Sequence, residues 1–447
     1  MTRRNRNIKQ YRSYTLKNFK DIPDIRKLSD EELFDIEVVA RVFPFKTNNY
    51  VIEKLINWDN IPYDPMFILN FPQKGILLTN DYDTMALAVL QKDEQRITET
   101  ARKIQYSLNP HPAGQLEYNT PTFNGKKLKG IQHKYMETVL FMAKKGQTCH
   151  AFCTFCFRWP QFIGDCNLRI GTNDIRTLIE YLKEHPGVTD LLLTGGDPLV
   201  MKTETIEGYI LPLLNADLPN LKNIRIGTKV LSYWPYRFLN DEDSPQLLKL
   251  FKRIVDSGKH LAFMAHFNHP QELSTDEVQE AIARIRDTGA EIRTQSPILR
   301  NINNNPKLWA AMWKKQVELG CIPYYMFVVR DTGAQHYFGL PLIEAFDIFR
   351  NAFNGVSGLA RTVRGPVMST TAGKIQMTGF SEVLGHPVIT LAMIQARNPD
   401  WVLKPFYAKY DEDAFWIDDL MPAFGEDNFF FEHPYNRIQY LSEEYTN

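Results

Sequence analysis

"TVLFMAKKGQTCHAFCTFCFRWPQF", residues 138–162, is the stretch on which the reading of this chain turns. It opens as an apolar run of strand length and then breaks into a loop holding Cys149, Cys153 and Cys156. Three of the chain's five cysteines thus fall within eight positions, spaced C-x3-C-x2-C. Thiolates are soft ligands that favour zinc, copper(I) or iron–sulfur clusters. A structural zinc site closes with four ligands, yet no second CxxC pair stands elsewhere, and His150 is awkwardly adjacent to Cys149. Three cysteines suit another arrangement. They hold three irons of a [4Fe–4S] cluster and leave the fourth open to an outside ligand. Cys166 and Cys321 lie outside the pattern and read as ordinary near-surface or core residues.

Beyond this loop, short apolar runs alternate with amphipathic helices. "DLLLTGG", "NIRIGTKV", "HLAFMAHF", "EIRTQSPIL" and "IPYYMFVV" read as strands. Between them "DIRTLIEYLKEH", "TIEGYILPLL", "SPQLLKLFKRIVDSG", "STDEVQEAIARIRDTGA" and "NPKLWAAMWKKQVELG" read as helices, and "LPLIEAFDIFRNAF" closes the series. Six β/α units imply an α/β fold with a parallel sheet, either a partial (β/α)6 barrel or a doubly wound sheet. In both, ligands gather at the carboxyl ends of the strands. Before the series, residues 1–130 read as a mainly helical extension. "LSDEELFDIEVVARVF" opens with a capping box from Ser29 to Glu32, and "NNYVIEKLINW" predicts a second helix. The expected division is 1–130, a core over 131–353, and a C-terminal segment over 354–447 capping the barrel.

The bulk numbers fit an enzyme. Apolar residues are 44% and charged residues 23% of the 447, and 52 basic side chains balance 52 acidic ones. No overall field favours nucleic acid or an anionic membrane. The basic start lacks the apolar stretch of a signal peptide, no run is long enough to span a bilayer, and odd, clustered cysteines do not make a disulfide framework. The expected location is the cytoplasm.

The cysteine spacing resembles the radical S-adenosylmethionine (SAM) signature, and the match narrows further. From about residue 133 to 380 the chain resembles the lysine 2,3-aminomutase family. The resemblance rests on "HKYMETVLFM", the arginine two residues after the third cysteine, "LLLTGGDPL", "IRIGT" at 224–228, "HFNHP" at 266–270, Gln295 and "PYY" at 323–325. It implies three cofactors: a [4Fe–4S] cluster on Cys149, Cys153 and Cys156, S-adenosylmethionine, and pyridoxal phosphate (PLP). Gly195, Gly196 and Asp197, with His266 and Gln295, are implied at the S-adenosylmethionine site. Arg158 is implied to grip the substrate α-carboxylate, for which a guanidinium fork is suited. "RGPVMSTTAGKIQMTG" offers Lys374 as the PLP lysine, with Ser369, Thr370 or Thr371 near the phosphate, while Tyr135 and Lys134 match PLP contacts. The family's phosphate arginine falls on Thr138 here.

Two departures bear on the substrate. Lysine-specific members meet the distal ammonium with two aspartates; the matching positions here are Arg330 and Val367, with Asp331 one residue further on. An arginine there disfavours an ammonium. The expectation is a 2,3-aminomutase moving an amino group from C2 to C3 of a free amino acid, acidic or uncharged rather than lysine. A one-residue gap in the match would bring Asp331 into the recognition position instead. The family's C-terminal zinc cysteines are missing, so a homo-oligomer is possible but not braced by zinc. An external donor of flavodoxin or ferredoxin type is implied. Two other readings stay open on sequence: a radical enzyme acting on a protein-bound residue, and a non-catalytic iron–sulfur electron-transfer or sensor protein.

Overall fold

The computed structural model describes residues 9–432. One mixed sheet of eleven strands organises them, and its strands lie side by side in chain order. They are β1 (Ile131–Tyr135), β2 (Thr138–Met142), β3 (Asp190–Thr194), β4 (Asn223–Thr228), β5 (His260–His266), β6 (Glu291–Ile298), β7 (Ile322–Val328), β8 (Arg364–Ser369), β9 (Gly373–Val383), β10 (His386–Ala396) and β11 (Pro405–Lys409). From β2 to β8 every neighbouring pair is parallel. The flanking pairs, β1 with β2 and β8 through β11, are antiparallel.

The parallel strands form where the apolar runs lie. Leu191, Leu193, Ile224, Ile226, Leu261 and Phe263 are all buried, as strands covered on both faces require. The intervening helices are α1 (Ile175–Glu184), α2 (Thr203–Asn215), α3 (Ser244–Asp256), α4 (Asp276–Arg286), α5 (Pro306–Glu318) and α6 (Leu342–Asn354). Their starts follow local chemistry. Asp174 caps α1 by accepting from Thr177 N, and Thr275 caps α4 by accepting from Val278 N. Every strand and helix expected between 138 and 354 is present.

Outside that core two expectations change. "NNYVIEKLINW" gives a shorter helix than expected: Asn49 and Tyr50 are helical and run into a wide-turned stretch, Val51–Leu55. The C-terminal region does not simply lie over the sheet as a cap. It continues the sheet through β8 to β11 and carries its own apolar cluster, including Met377, Leu391, Trp401, Phe406, Trp416 and Phe431, packed on Leu342 of α6. The two flanks also meet. Lys134 Nζ of β1 donates to the Thr370 carbonyl in the β8–β9 turn, and Arg397 just after β10 donates to Tyr118 O (3.1 Å) and to Asn119 Oδ1. These contacts draw the first and last thirds of the chain together around the strand ends. No helix among the described residues is long and apolar enough to cross a membrane.

Candidate active site

The cysteine loop leaves the carboxyl end of β2, and the N-terminal extension holds it. His150 O accepts from Tyr11 Oη (2.6 Å) and Asn48 Nδ2 (3.1 Å), and Lys46 Nζ donates to Cys149 O (2.7 Å). Phe152 N bonds to Lys46 O (2.7 Å), and Thr154 Oγ1 to Ile68 O (2.8 Å). The Cys149 and His150 carbonyls are thereby bound to the extension. Burial pushes all three thiols up, Cys156 to about 12, and Cys149 and Cys156 also feel a neighbouring thiol that opposes their ionisation. Such thiols ionise only when a thiophilic metal compensates. Among the described residues no three His, Cys, Asp or Glu side chains converge as donors to a single ion. The His150 ring lies against Trp234 (centroids 6.4 Å, 11°).

The turn after β3 packs on this loop. Asp197 N donates to Thr148 O (2.7 Å) and Gly146 O (3.1 Å). A Cβ on Gly196 would stand 2.4 Å from Thr148 O and 2.6 Å from Thr148 N, so only glycine lets the two segments close. Gly196→Ala is expected to cost about 1–3 kcal/mol through this overpacking. A thermal melt beside an iron assay checks it; an unchanged melting point with unchanged iron uptake would remove the glycine requirement. Asp197 itself is 2% exposed, and burial raises its pKa to about 6. Its carboxylate accepts from Thr228 Oγ1 (2.8 Å), Lys229 N (2.8 Å) and Leu199 N (3.0 Å). It therefore ties the ends of β3 and β4 together.

His266 and Gln295 are register partners at the ends of β5 and β6, and Gln295 Nε2 lies 2.7 Å from His266 Nε2. Burial, with Lys229 and Arg158 nearby, pulls His266 down to about 3 and keeps it neutral. A neutral ring accepts from the amide at Nε2 and leaves its other nitrogen protonated. The sequence reading missed the neighbour of this pair. Lys229 Nζ donates to Asn268 Oδ1 (2.8 Å) and pairs with the fully buried Glu272. Glu272 had no periodic or motif signal of its own; it lies just after "HFNHP".

Lys374 is the second residue of β9, and its amine donates to Gln395 Oε1 (2.6 Å) while sitting 4.4 Å from the Tyr135 ring and 5.9 Å from the Tyr325 ring. Burial first, then the cations Arg225, Arg364 and Arg330, lower it to about 7. About half of it is therefore free amine at neutral pH, the state a carbonyl-seeking lysine needs. Tyr135 Oη is buried without a hydrogen-bond partner. Lys134 is spent on Thr370 O, and the Thr370 hydroxyl donates to Gly373 O (3.1 Å), so that hydroxyl serves its own turn.

Arg158 and Arg330 flank one ring. Their guanidinium carbons lie 5.1 and 5.2 Å from the Phe157 centroid. Arg158 Nη1 has Met142 Sδ at 3.5 Å. Arg330 Nε and Nη2 are buried without a hydrogen-bond partner; burial lowers its pKa, opposed first by the Asp331 carboxylate and then by Tyr135, while Lys374 and Arg158 feel it as a like charge. Asp331 points elsewhere. Its Oδ2 accepts from Asn109 Nδ2 (3.2 Å), and it lines a separate cavity of about 120 Å³ with Thr371, Trp416 and Asp418. Val367 is fully buried in β8.

Three buried thiols in one loop are donors of the kind a cluster would take, and a near-neutral lysine beside two phenol rings is of the kind a flat aldehyde would take. Over 412 residues, 92% of this chain and 96% of the relative, the chain is 32% identical to a protein of Aquifex aeolicus (strain VF5) named "Putative L-lysine 2,3-aminomutase". It is 29% identical over 230 residues to L-lysine 2,3-aminomutase of Acetoanaerobium sticklandii, matching 51% of this chain and 52% of that one. It is 29% identical over 248 residues to L-lysine 2,3-aminomutase of Escherichia coli (strain K12), matching 54% and 68%. No family model matches. Site and relatives together define a radical S-adenosylmethionine aminomutase, an isomerase. The chain belongs to the lysine 2,3-aminomutase-like family.

Proposed function

We propose that this protein is a PLP-dependent 2,3-aminomutase that shifts the amino group of a free amino acid from C2 to C3, on an acidic or uncharged amino acid rather than lysine. The sheet serves as a partial (β/α)6 barrel whose strand ends carry the site. When bound, the cluster with S-adenosylmethionine supplies a carbon radical by one-electron cleavage, and PLP supplies the π-system across which nitrogen moves. Each remaining part is a task for the chain. Cys149, Cys153 and Cys156 anchor three irons and leave one open. The 195–197 turn, His266 and Gln295 border S-adenosylmethionine, with Asp197 setting the turn rather than meeting ligand. Lys374 offers its free amine to PLP beside Tyr135, and Lys134 holds the turn behind it. Arg158 takes the α-carboxylate. The walls exclude water from the radical. The reducing electron comes from an external flavodoxin- or ferredoxin-type donor.

The observation that carries the substrate reading is Arg330, a buried guanidinium with two unpaired N–H groups near Lys374 and Tyr135. An orphaned charged donor in a low-dielectric chamber asks for an anion, and a side-chain carboxylate supplies it. The same geometry repels an ammonium. A panel of glutamate, aspartate, alanine, arginine and lysine, given to anaerobically reconstituted enzyme with S-adenosylmethionine and dithionite, tests this. A β-amino product from a dicarboxylic acid, with lysine at least tenfold poorer, is expected. Robust lysine turnover would overturn the specificity, and no S-adenosylmethionine cleavage under reduction would overturn the class of reaction.

A further inference from the structure

The cysteine loop has one hydrogen bond to a thiol that its own backbone does not explain. Tyr233 Oη lies 3.2 Å from Cys153 Sγ. Tyr233 belongs to a helical turn, Val230–Tyr233, that follows β4, and it is 1% exposed. A cation stands over its ring, with Lys229 Nζ 4.6 Å from the centroid. That cation is fixed in turn. It pairs with Glu272 and donates to Asn268 Oδ1 (2.8 Å), while the other Glu272 oxygen accepts from Asn268 N and His269 N (2.9 Å). Asn48 Nδ2 completes the clamp by donating to Tyr233 O (3.0 Å) as well as to His150 O. A buried ion pair held by two backbone N–H groups does little for stability by itself. Here it parks a positive charge on the ring of the residue that touches Cys153.

We propose that Tyr233 is a positioning residue for the cluster's electron: it donates a hydrogen bond to the Cys153 sulfur, and the Glu272-anchored Lys229 above its ring strengthens that bond, so that together they make the cluster easier to reduce. A thiolate bound to iron has no proton, so the phenol must be the donor. Reduction from [4Fe–4S]2+ to [4Fe–4S]1+ adds one electron from the external donor, and much of the added charge falls on sulfur. A hydrogen bond to that sulfur is therefore stronger in the reduced state, and hydrogen bonds to cluster sulfurs are among the levers that set the potential. A cation on the phenol's π-face is attracted to the ring and makes its O–H a better donor. The inference rests on the cluster reading above and adds to it a residue outside the cysteine motif.

The test is a potentiometric titration of anaerobically reconstituted protein with dithionite, followed by the electron paramagnetic resonance of the reduced cluster. Tyr233→Phe is expected to retain its iron and to lose about tenfold in the reduced-to-oxidised ratio at fixed poise, a negative shift of about 59 mV for one electron. The double variant Lys229→Met/Glu272→Gln removes the charge without stranding its partner. It should shift the same way, and adding Tyr233→Phe to it should shift less than in the wild type. An unchanged midpoint in Tyr233→Phe with full iron overturns the proposal. Should Tyr233→Phe fail to hold iron, resonance Raman of the wild type decides: Fe–S(Cys) frequencies that move in D2O support it, and frequencies that do not overturn it. A wild type that takes up no iron overturns the cluster reading itself, an outcome distinct from all of these.

Discussion

Replacing Lys374 by alanine is expected to abolish turnover and the visible band of lysine-bound PLP, while the cluster's broad absorption stays. The reason is position as much as chemistry. The amine lies beside the Tyr135 and Tyr325 rings and is held by Gln395. The competing amine, Lys134, is committed to Thr370 O across the sheet closure. The pH dependence follows from the lowered pKa. Folding depresses Lys374 from the ordinary lysine range to about 7, so free amine is present above that value and is lost as pH falls through it. Attachment of added PLP should therefore be flat above about pH 8 and slow about tenfold per unit well below 7. An attachment rate that goes on rising to about pH 10 would mean that the amine is not desolvated as described. A PLP band that survives Lys374→Ala would move the cofactor to another residue.

The second large effect concerns Arg330. On the proposed reading, changing it to methionine removes the charge that would meet a substrate carboxylate and should cost roughly 3 kcal/mol in kcat/KM, on the order of a hundredfold, for a dicarboxylic amino acid. Changing it to aspartate reverses the charge. Acidic substrates should then fall further, and lysine should gain. Like and unlike unit charges about 4 Å apart differ by several kcal/mol at the effective dielectric of a partly buried site, so the reversal outweighs packing effects. Asp331→Asn separates the two neighbours: its side chain binds Asn109 and lines the 120 Å³ cavity, yet its charge also acts on Arg330, so a smaller change in preference than with Arg330→Asp is expected. If Asp331→Asn changed substrate preference and Arg330→Asp did not, the two neighbours would have to exchange roles.

How much of this could be read from the residues depended on the kind of signal. Parallel strands such as "DLLLTGG" show themselves as unbroken apolar runs, because both faces are covered, and helix caps such as Thr275 mark their own starts. β9 and β10 were harder. The expectation there is a segment capping the barrel; "KIQM" alternates buried and half-buried positions, and its pairing with β8 and β10 emerges only in three dimensions. The cysteines, Lys374 and Arg158 announce their chemistry by type and motif. The side on which Arg330 and Asp331 fall is set by a backbone turn after β7 and has no sequence signature. Asp197 carries a part the motif did not announce: its carboxylate also accepts from Thr228, Lys229 and Leu199. Tyr233 and Glu272 were invisible because each matters only through a neighbour distant in the chain.

The strands stand in the sheet in the order in which a ribosome would make them. Each β/α unit can therefore settle on its predecessor as it emerges, with short loops to close. The thiols and Arg158 emerge early, whereas Arg330, Lys374 and the turn that meets Lys134 arrive only with the last third of the chain. A nascent or truncated chain would thus present the cysteine loop well before the buried amine exists.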